Sequence, residues 1–364
     1  MKAVVLVGGE GTRLRPLTYS TPKPLLPIAN QAFLERQLAW LAGHGVTEVI
    51  LSLGYLPDAF REHFPSGEFA GIRISYAIEP EPLGTAGGIR FAAEGVDERI
   101  IVCNGDVLTD LDLTALVAFH ESRDAAATIA LTRVEDPSAF GVVPTRDDGQ
   151  VIAFVEKPPP GQAPTDWINA GTYVLEPRVL QRIPPRLPVS IERVTFPRML
   201  EDRAGLYAVP STSYWLDIGT PDKYLRGNLD VIDGRIGAVP VAGAEEVTPG
   251  VWVQADATVH PDADLQAPAL VGVRAEIAAG ATVRASVVGA GAMIGAGARV
   301  IGSVVLDRGE VGADAQLAAA VVGVGAVVGA GSRLSDHTML GAGTSVTAGS
   351  RLVGERVAPP GFES

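Results

Sequence analysis

Four groups of residues in this chain carry side chains able to handle phosphates. The first is Gly8-Gly9-Glu10-Gly11-Thr12-Arg13-Leu14-Arg15-Pro16-Leu17-Thr18. Its glycines let backbone N–H groups approach an anion closely, and Arg13 and Arg15 add full positive charge. The second is Lys23, flanked by Pro22 and Pro24, which restrict the backbone and so limit where the ammonium can point. The third is a pair of distant carboxylates, Asp106 in Asn104-Gly105-Asp106 and Asp217 in Trp215-Leu216-Asp217-Ile218-Gly219-Thr220-Pro221. Two strand-end carboxylates suit a hard cation such as Mg²⁺ when phosphate oxygens complete its octahedron. Cys103 is alone and His44, His63, His120, His260 and His337 are scattered, so no transition-metal cluster competes. The fourth comprises Glu156, Lys157 and Asn169, with amide and carboxylate groups for hydroxyls and an ammonium for a phosphate. Taken singly, each has an ordinary structural explanation: an exposed glycine turn, an Asn-Gly-Asp turn, a solvated Glu-Lys pair. The glycine spacing is neither the dinucleotide fingerprint nor a P-loop.

Elements that could position these groups are legible up to about residue 233. Short apolar runs at Ala3 to Val7, Glu48 to Leu53, Ile72 to Tyr76 and Ile100 to Cys103 read as strands. Phe33 to Ala42, Pro57 to Phe64 and Thr85 to Ala93 have helical spacing. The alternation predicts a mostly parallel sheet covered on both faces, with its ligand beyond the C-terminal ends of the strands. Glu79-Pro80-Glu81-Pro82-Leu83-Gly84 forms a loop that opens a helix at Thr85 and suits a flat base held by backbone polar groups.

From about residue 249 the texture changes. Aliphatic residues recur every six positions at Val253, Val259, Leu265, Val271, Ile277 and Val283, then resume as Val288, Ile294 and Val300, as Val305, Val311 and Leu317, as Val322, Val328 and Leu334, and as Leu340, Val346 and Leu352. One inward aliphatic per hexapeptide, with Gly and Ala at the corners, describes a three-faced prism. Six coils at strand spacing predict a column on the order of 30 Å long. The sequence therefore divides into 1–233, a connection at 234–248, a coil domain at 249–358 and a tail at 359–364.

Composition sets the limits. The chain has 364 residues, 47% hydrophobic and only 6% aromatic, which suits two folded domains rather than disorder. With 29 basic and 42 acidic residues the net charge is -13, unfavourable for nucleic acid. The lone cysteine gives no sign of an oxidising compartment. The first apolar run is too short for a signal-peptide core, and no stretch reaches membrane-spanning length. A cytoplasmic protein with neither nucleic-acid nor membrane partners is expected.

In their order, G-G-x-G-T-R-L-x-P-L-T, P-K-P, E-P-L-G-T-A-G, N-G-D, F-V-E-K-P, I-N-A-G and D-I-G-T-P resemble the sugar-nucleotide pyrophosphorylases, which join a nucleoside triphosphate to a sugar 1-phosphate. The likeness runs from Lys2 to about Asn228, and the last 110 or so residues resemble the hexapeptide-repeat left-handed β-helix. This resemblance implies a Rossmann-like nucleotidyltransferase domain followed by a left-handed parallel β-helix. It implies Arg13, Lys23, Asp106 and Asp217 as catalytic groups, with Mg²⁺ on Asp106 and Asp217. Nucleotide contacts would come from Leu6, Gly8, Gly9, Gly11, Thr12, Arg13, Lys23, Leu83, Gly84, Gly88 and Asp106. Sugar-phosphate contacts would come from Gly141, Glu156, Lys157 and Asn169. The motif combination looks most like the guanylyltransferase branch, which uses GTP and mannose 1-phosphate; glucose-1-phosphate thymidylyl or uridylyl transfer is the alternative. One departure is Val194-Thr195 after Ser190-Ile191-Glu192-Arg193, where the family commonly has a further acidic residue. A noncatalytic sugar-nucleotide-binding regulatory subunit would have no need of Asp106, Asp217 and Lys23. An acyltransferase reading would use His260 or His337, but the coil domain has no lysine. The coil domain is expected to mediate assembly into a homo-oligomer.

Overall fold

The first strand, Lys2–Leu6, is apolar on both faces because it lies in the middle of a sheet. The structure is a computed structural model that describes residues 1–237 and 241–362. Contacts divide it into two units that do not follow the sequence linearly. One comprises Met1–Gly9 and Leu34–Trp215; the other comprises Glu10–Phe33 and Leu216–Ser364.

The first unit is a ten-stranded mixed sheet flanked by helices. Its parallel centre runs Ile100–Asn104, Lys2–Leu6, Glu48–Leu53, Ile72–Ile78. The helices expected between these strands are present as Phe33–Gly43, Pro57–His63 and Gly84–Ala92. The chain fills one side of the first strand and then crosses to Ile100–Asn104 on the other, creating the topological switch point at which such sheets present ligands. The pair Leu6↔Asn104 closes this junction. Beyond it the sheet turns antiparallel: Trp167–Leu175 runs against both Ile100–Asn104 and Ala127–Arg133, and also pairs with Gly141–Val142. That antiparallel half was not legible in the alternating pattern. The core packs Val4, Val102 and Ile129 with Tyr173 and Phe196, whose rings meet edge-on at 5.4 Å.

In the second unit the inward aliphatics stack as the hexapeptide period requires. Val253 pairs in register with Val271, Val271 with Val288, Val288 with Val305, Val305 with Val322 and Val322 with Leu340. The other two faces repeat this, for example Ile277 on Ile294 on Val311 and Val283 on Val300 on Leu317. All pairings between successive coils are parallel, and the result is a left-handed parallel β-helix. Corners use left-handed backbone: Gly291, Gly325 and Gly343 recur at one, while Arg274 and Arg308 adopt the same conformation there without being glycine. A further five-residue step follows the last residue of the predicted series, because Val357 pairs with Leu340. His337 is a corner residue at φ 61°, beside Asp336 at φ 54°. His260 is also surface-lying, its Nδ1 accepting from the backbone N–H of Asp262 at 3.1 Å.

The segment Glu10–Phe33 is anchored inside this second unit. Tyr224, on the helix Pro221–Ile232, donates to the carbonyl of Pro27 at 2.7 Å, and Asn228 accepts from the N–H of Ala29 at 2.8 Å. Asn30 donates to the carbonyl of Val288 at 2.9 Å. Of the expected connection, residues 238–240 lie outside the described residues, as do 363–364 of the expected tail. Among the described residues no helix is long and apolar enough to cross a membrane.

Candidate active site

At the switch point, Gly8 and Gly9 follow the first strand and Gly105-Asp106 follow Ile100–Asn104. Gly8 approaches the opposing backbone so closely that a Cβ there would stand 3.2 Å from the N of Gly54, whereas Gly9 faces open space. The N–H of Gly105 donates to the carbonyl of Leu6 at 2.9 Å, which turns the chain and places Asp106 just past the strand tip.

The loop before helix Gly84–Ala92 is organised by Glu79. One carboxylate oxygen accepts from the hydroxyl of Ser52 at 2.8 Å and the other from the N–H of Leu83 at 2.9 Å. Gly88 must be glycine, because a Cβ would lie 2.6 Å from that first oxygen. Sequence reasoning assigned Leu83, Gly84 and Gly88 but missed the carboxylate that shapes them.

A second cluster in the same unit surrounds Glu156. Gly141 pairs with it across an antiparallel ladder, and a Cβ on Gly141 would stand 2.9 Å from its Oε2. Lys157 holds a left-handed backbone at φ 51°, unusual for a lysine. Its N–H donates to the carbonyl of Phe140 at 2.9 Å. Asn169 shapes the strand: its Oδ1 accepts from the N–H of Gly171 at 2.9 Å, its Nδ2 donates to the hydroxyl of Tyr173 at 2.7 Å, and the register slips between Asn169 and Tyr173. Burial, followed by repulsion from Glu192, raises the carboxyl of Glu156 above its ordinary range, against the attraction of Lys157 and Arg193.

The remaining predicted residues belong to the second unit. Gly11 is left-handed at φ 62°, and a Cβ there would crowd the side chains of Lys23 and Thr18 at 3.1 Å. The buried hydroxyl of Thr18 donates to the carbonyl of Gly11 at 2.9 Å, closing the turn that carries Thr12 and Arg13. Around Asp217, Lys23 lies 3.9 Å from Oδ1 and Lys223 lies 3.6 Å from Oδ2. A Cβ on Gly219 would meet Arg13 Nη2 at 2.7 Å and Asp217 Oδ1 at 3.0 Å, so the guanidinium and the carboxylate share one small space. Lys223 was missed, although its rarity was a usable signal: the chain has only Lys2, Lys23, Lys157 and Lys223. Arg15 turns elsewhere, pairing with Glu10 at 3.0 Å and lying over the ring of Tyr19.

Asp217 Oδ1 is buried and accepts no hydrogen bond. The Lys23 ammonium, 3.9 Å away, offsets its charge without a hydrogen bond, and a hard carboxylate oxygen of this kind fits a metal ion. Among the described residues no three His, Cys, Asp or Glu side chains gather to hold an ion by themselves, so a site of this kind needs phosphate oxygens for its remaining ligands.

A glycine turn and a strand-tip carboxylate stand at the switch point, and Arg13 and Lys23 follow on the segment Glu10–Phe33; side chains of these types can meet nucleotide phosphates. The nucleotidyl transferase family model matches residues 2–234, and the chain belongs to that family. Residues 247–360 match the GMPPB C-terminal domain. Among curated relatives, the mannose-1-phosphate guanylyltransferase of Mycobacterium tuberculosis is 44% identical over 282 residues, covering 76% of this chain and 77% of that protein. The probable mannose-1-phosphate guanylyltransferase 1 of rice, Oryza sativa subsp. japonica, is 38% identical over 306 residues, 82% of each. Among solved structures, HddC from Yersinia pseudotuberculosis matches with a TM-score of 0.55 at 31% identity, covering 62% of this chain and 97% of that one. The same protein complexed with GMP-PN matches at 0.54.

Proposed function

We propose that this chain transfers the guanylyl group of GTP to mannose 1-phosphate, giving GDP-mannose and pyrophosphate. The observation that carries the reaction class is the Asp217 carboxylate, whose buried Oδ1 accepts no hydrogen bond and which is faced by Lys23, Lys223 and the guanidinium of Arg13. The choice of base and sugar is supported by the relatives at 38–44% identity, which are named for that reaction.

An oxygen of the sugar 1-phosphate attacks the α-phosphorus of the triphosphate in line; the bond from the α-phosphorus to the β-bridging oxygen breaks, and pyrophosphate leaves with that electron pair. The nucleophile is already anionic, so no covalent enzyme intermediate is required and the protein's task is to bring two polyanions together. Arg13 and Lys23 offset charge on the triphosphate and the leaving pyrophosphate. Backbone N–H groups of Gly8, Gly9, Gly11 and Thr12 cradle phosphates, and Leu6 borders the nucleotide at the end of its strand. Leu83, Gly84 and Gly88 form the base loop. Lys157 holds the acceptor phosphate, while Glu156, Asn169 and the backbone at Gly141 meet hexose hydroxyls. Asp106 and Asp217 would hold Mg²⁺, which when bound supplies positive charge to the α-phosphate oxygens. We take 1–233 as the catalytic domain, 234–248 as the connection, 249–358 as the hexapeptide-repeat domain and 359–364 as a tail. A cytoplasmic homo-oligomer acting on small molecules completes the reading.

The test is pyrophosphate release across a matrix of GTP, dTTP, UTP and ATP against mannose, glucose and galactose 1-phosphates, with and without Mg²⁺. GTP with mannose 1-phosphate is expected to give the highest kcat/KM; preference for dTTP or UTP with glucose 1-phosphate would overturn the substrate assignment.

A further inference from the structure

The segment Ser190-Ile191-Glu192-Arg193 has no part in the roles above, yet the structure ties it tightly to the loop before helix Gly84–Ala92. Oε2 of Glu192 accepts two hydroxyl hydrogen bonds, from Thr85 at 2.8 Å and from Ser190 at 2.8 Å. The Thr85 hydroxyl in turn accepts from the N–H of Ile191 at 2.8 Å. Backbone bonds run alongside: Val189 donates to the carbonyl of Leu83 at 2.8 Å, and Ala86 donates to the carbonyl of Val189 at 2.9 Å. The approach is so close that a Cβ on Gly84 would stand 2.8 Å from the Val189 carbonyl oxygen, at a φ of +68° that already favours glycine. Residues Ile191–Thr195 then make one turn of π-helix, an uncommon geometry concentrated at functional sites. The turn runs directly into Phe196, whose ring lies 5.5 Å from that of Phe154, two residues before Glu156, and 5.4 Å from that of Tyr173, the partner of Asn169; the Glu192 charge also acts on Glu156.

We propose that Glu192 is a positioning residue, a joint that locks the base loop through Thr85 while the turn that carries it packs through Phe196 on the acceptor cluster around Glu156 and Asn169, so that one segment sets the geometry of both substrate subsites. The inference rests on the assignment of Leu83 and Gly84 to the base and Glu156 to the sugar. Two hydroxyls donating to one carboxylate oxygen are charge-assisted bonds, stronger than neutral ones. Their loss frees the loop on the base side and shifts the segment on the sugar side. Glutamine at this position keeps an acceptor oxygen, and serine at position 85 keeps the hydroxyl; both preserve the joint in part.

The experiment uses the full chain with GTP and mannose 1-phosphate and compares Thr85→Val, Glu192→Ala, Thr85→Val/Glu192→Ala, Thr85→Ser and Glu192→Gln. Glu192→Ala and Thr85→Val are each expected to raise the KM of both substrates by about ten-fold, with a smaller change in kcat. The double variant should be little worse than either single one, since the residues act as a unit. Thr85→Ser should restore near-parental KM values, and Glu192→Gln should fall between. In Glu192→Ala without substrates, hydrogen exchange at the Ala86 and Val189 amides should accelerate about ten-fold. Multiplicative losses in the double variant, or a KM effect confined to mannose 1-phosphate with unchanged exchange, would overturn the proposal. An unsubstituted chain inactive with every substrate pair would instead remove the functional reading, and the exchange result would still decide whether the joint exists.

Discussion

The sheet unit and the coil unit bury their cores by different rules. In the coil, each inward residue rests on a chemically similar one a coil earlier, as Val283 on Val300 on Leu317 on Leu334, so one rule repeated closes the core. In the sheet, neighbours are unlike: Tyr173 packs against Phe196 in a cluster with Ile129 and Val102. The residues proposed to meet or position substrate lie where the sheet's regularity breaks. Lys157 is left-handed, the register slips between Asn169 and Tyr173, and Glu192 lies in a π turn. The coil keeps its irregular backbone at corners that recur from coil to coil. Repetition suffices for a column, whereas convergent polar groups need local exceptions held by surrounding packing.

The comparison can be broken most sharply at Asp217. Asp217→Asn should lower the rate of pyrophosphate release by about 10²–10³-fold, while circular dichroism shows the fold retained; near-parental turnover would remove this carboxylate from the chemistry. A substitution in the coil should do the reverse. Leu317, buried between Val300 and Leu334, when replaced by Ala should cost about 3 kcal/mol in denaturant unfolding and leave the KM for GTP unchanged. A KM that moved with coil stability would tie the two properties together.

A smaller effect separates side-chain chemistry from backbone strain. Lys157→Gly removes the ammonium but suits φ 51°, so it should raise the KM of mannose 1-phosphate while stability stays level or rises by up to about 1 kcal/mol. Loss of stability in thermal unfolding would show that the lysine side chain, not its backbone, holds this turn. The smallest expected change concerns pH. Burial and the charge of Glu192 raise the carboxyl of Glu156, while Lys157 and Arg193 oppose the shift. Glu192→Gln removes the repulsion, so Glu156 ionises at lower pH and the acid limb of kcat/KM for mannose 1-phosphate should move down. A limb displaced upward would contradict that electrostatic account.

Much of this was legible beforehand. The hexapeptide period placed eighteen inward residues that stack in the structure as expected, because a repeat imposes the same local environment at every turn. The central parallel strands and their helices followed from apolar runs and spacing, with ends shifted by a residue or two. The antiparallel half of the sheet was not legible: Gly141–Val142 and Val155–Glu156 have two residues each, too short for periodicity to register, and the direction of the long strand Trp167–Leu175 is set by its distant partners Ile100–Asn104 and Ala127–Arg133, which local spacing does not encode. Glu79 and Lys223 were visible as residue types but not as neighbours of Leu83 and Asp217. The domain division drawn from texture near residue 240 gave no hint that Glu10–Phe33 shares its contacts with the helix Pro221–Ile232 and the coil.

The amino-acid sequence by itself determined what depends on local chemistry and repetition: the coil's period, the glycine turns, the rarity of lysine and the order of the phosphate-handling motifs. Only the tertiary structure decided which distant groups meet, because contact depends on strand order and crossover, not on spacing along the chain. Thr85 and Glu192 are 107 residues apart and share a hydrogen bond. Lys23 and Asp217 are further apart still, yet their charges stand 3.9 Å from each other.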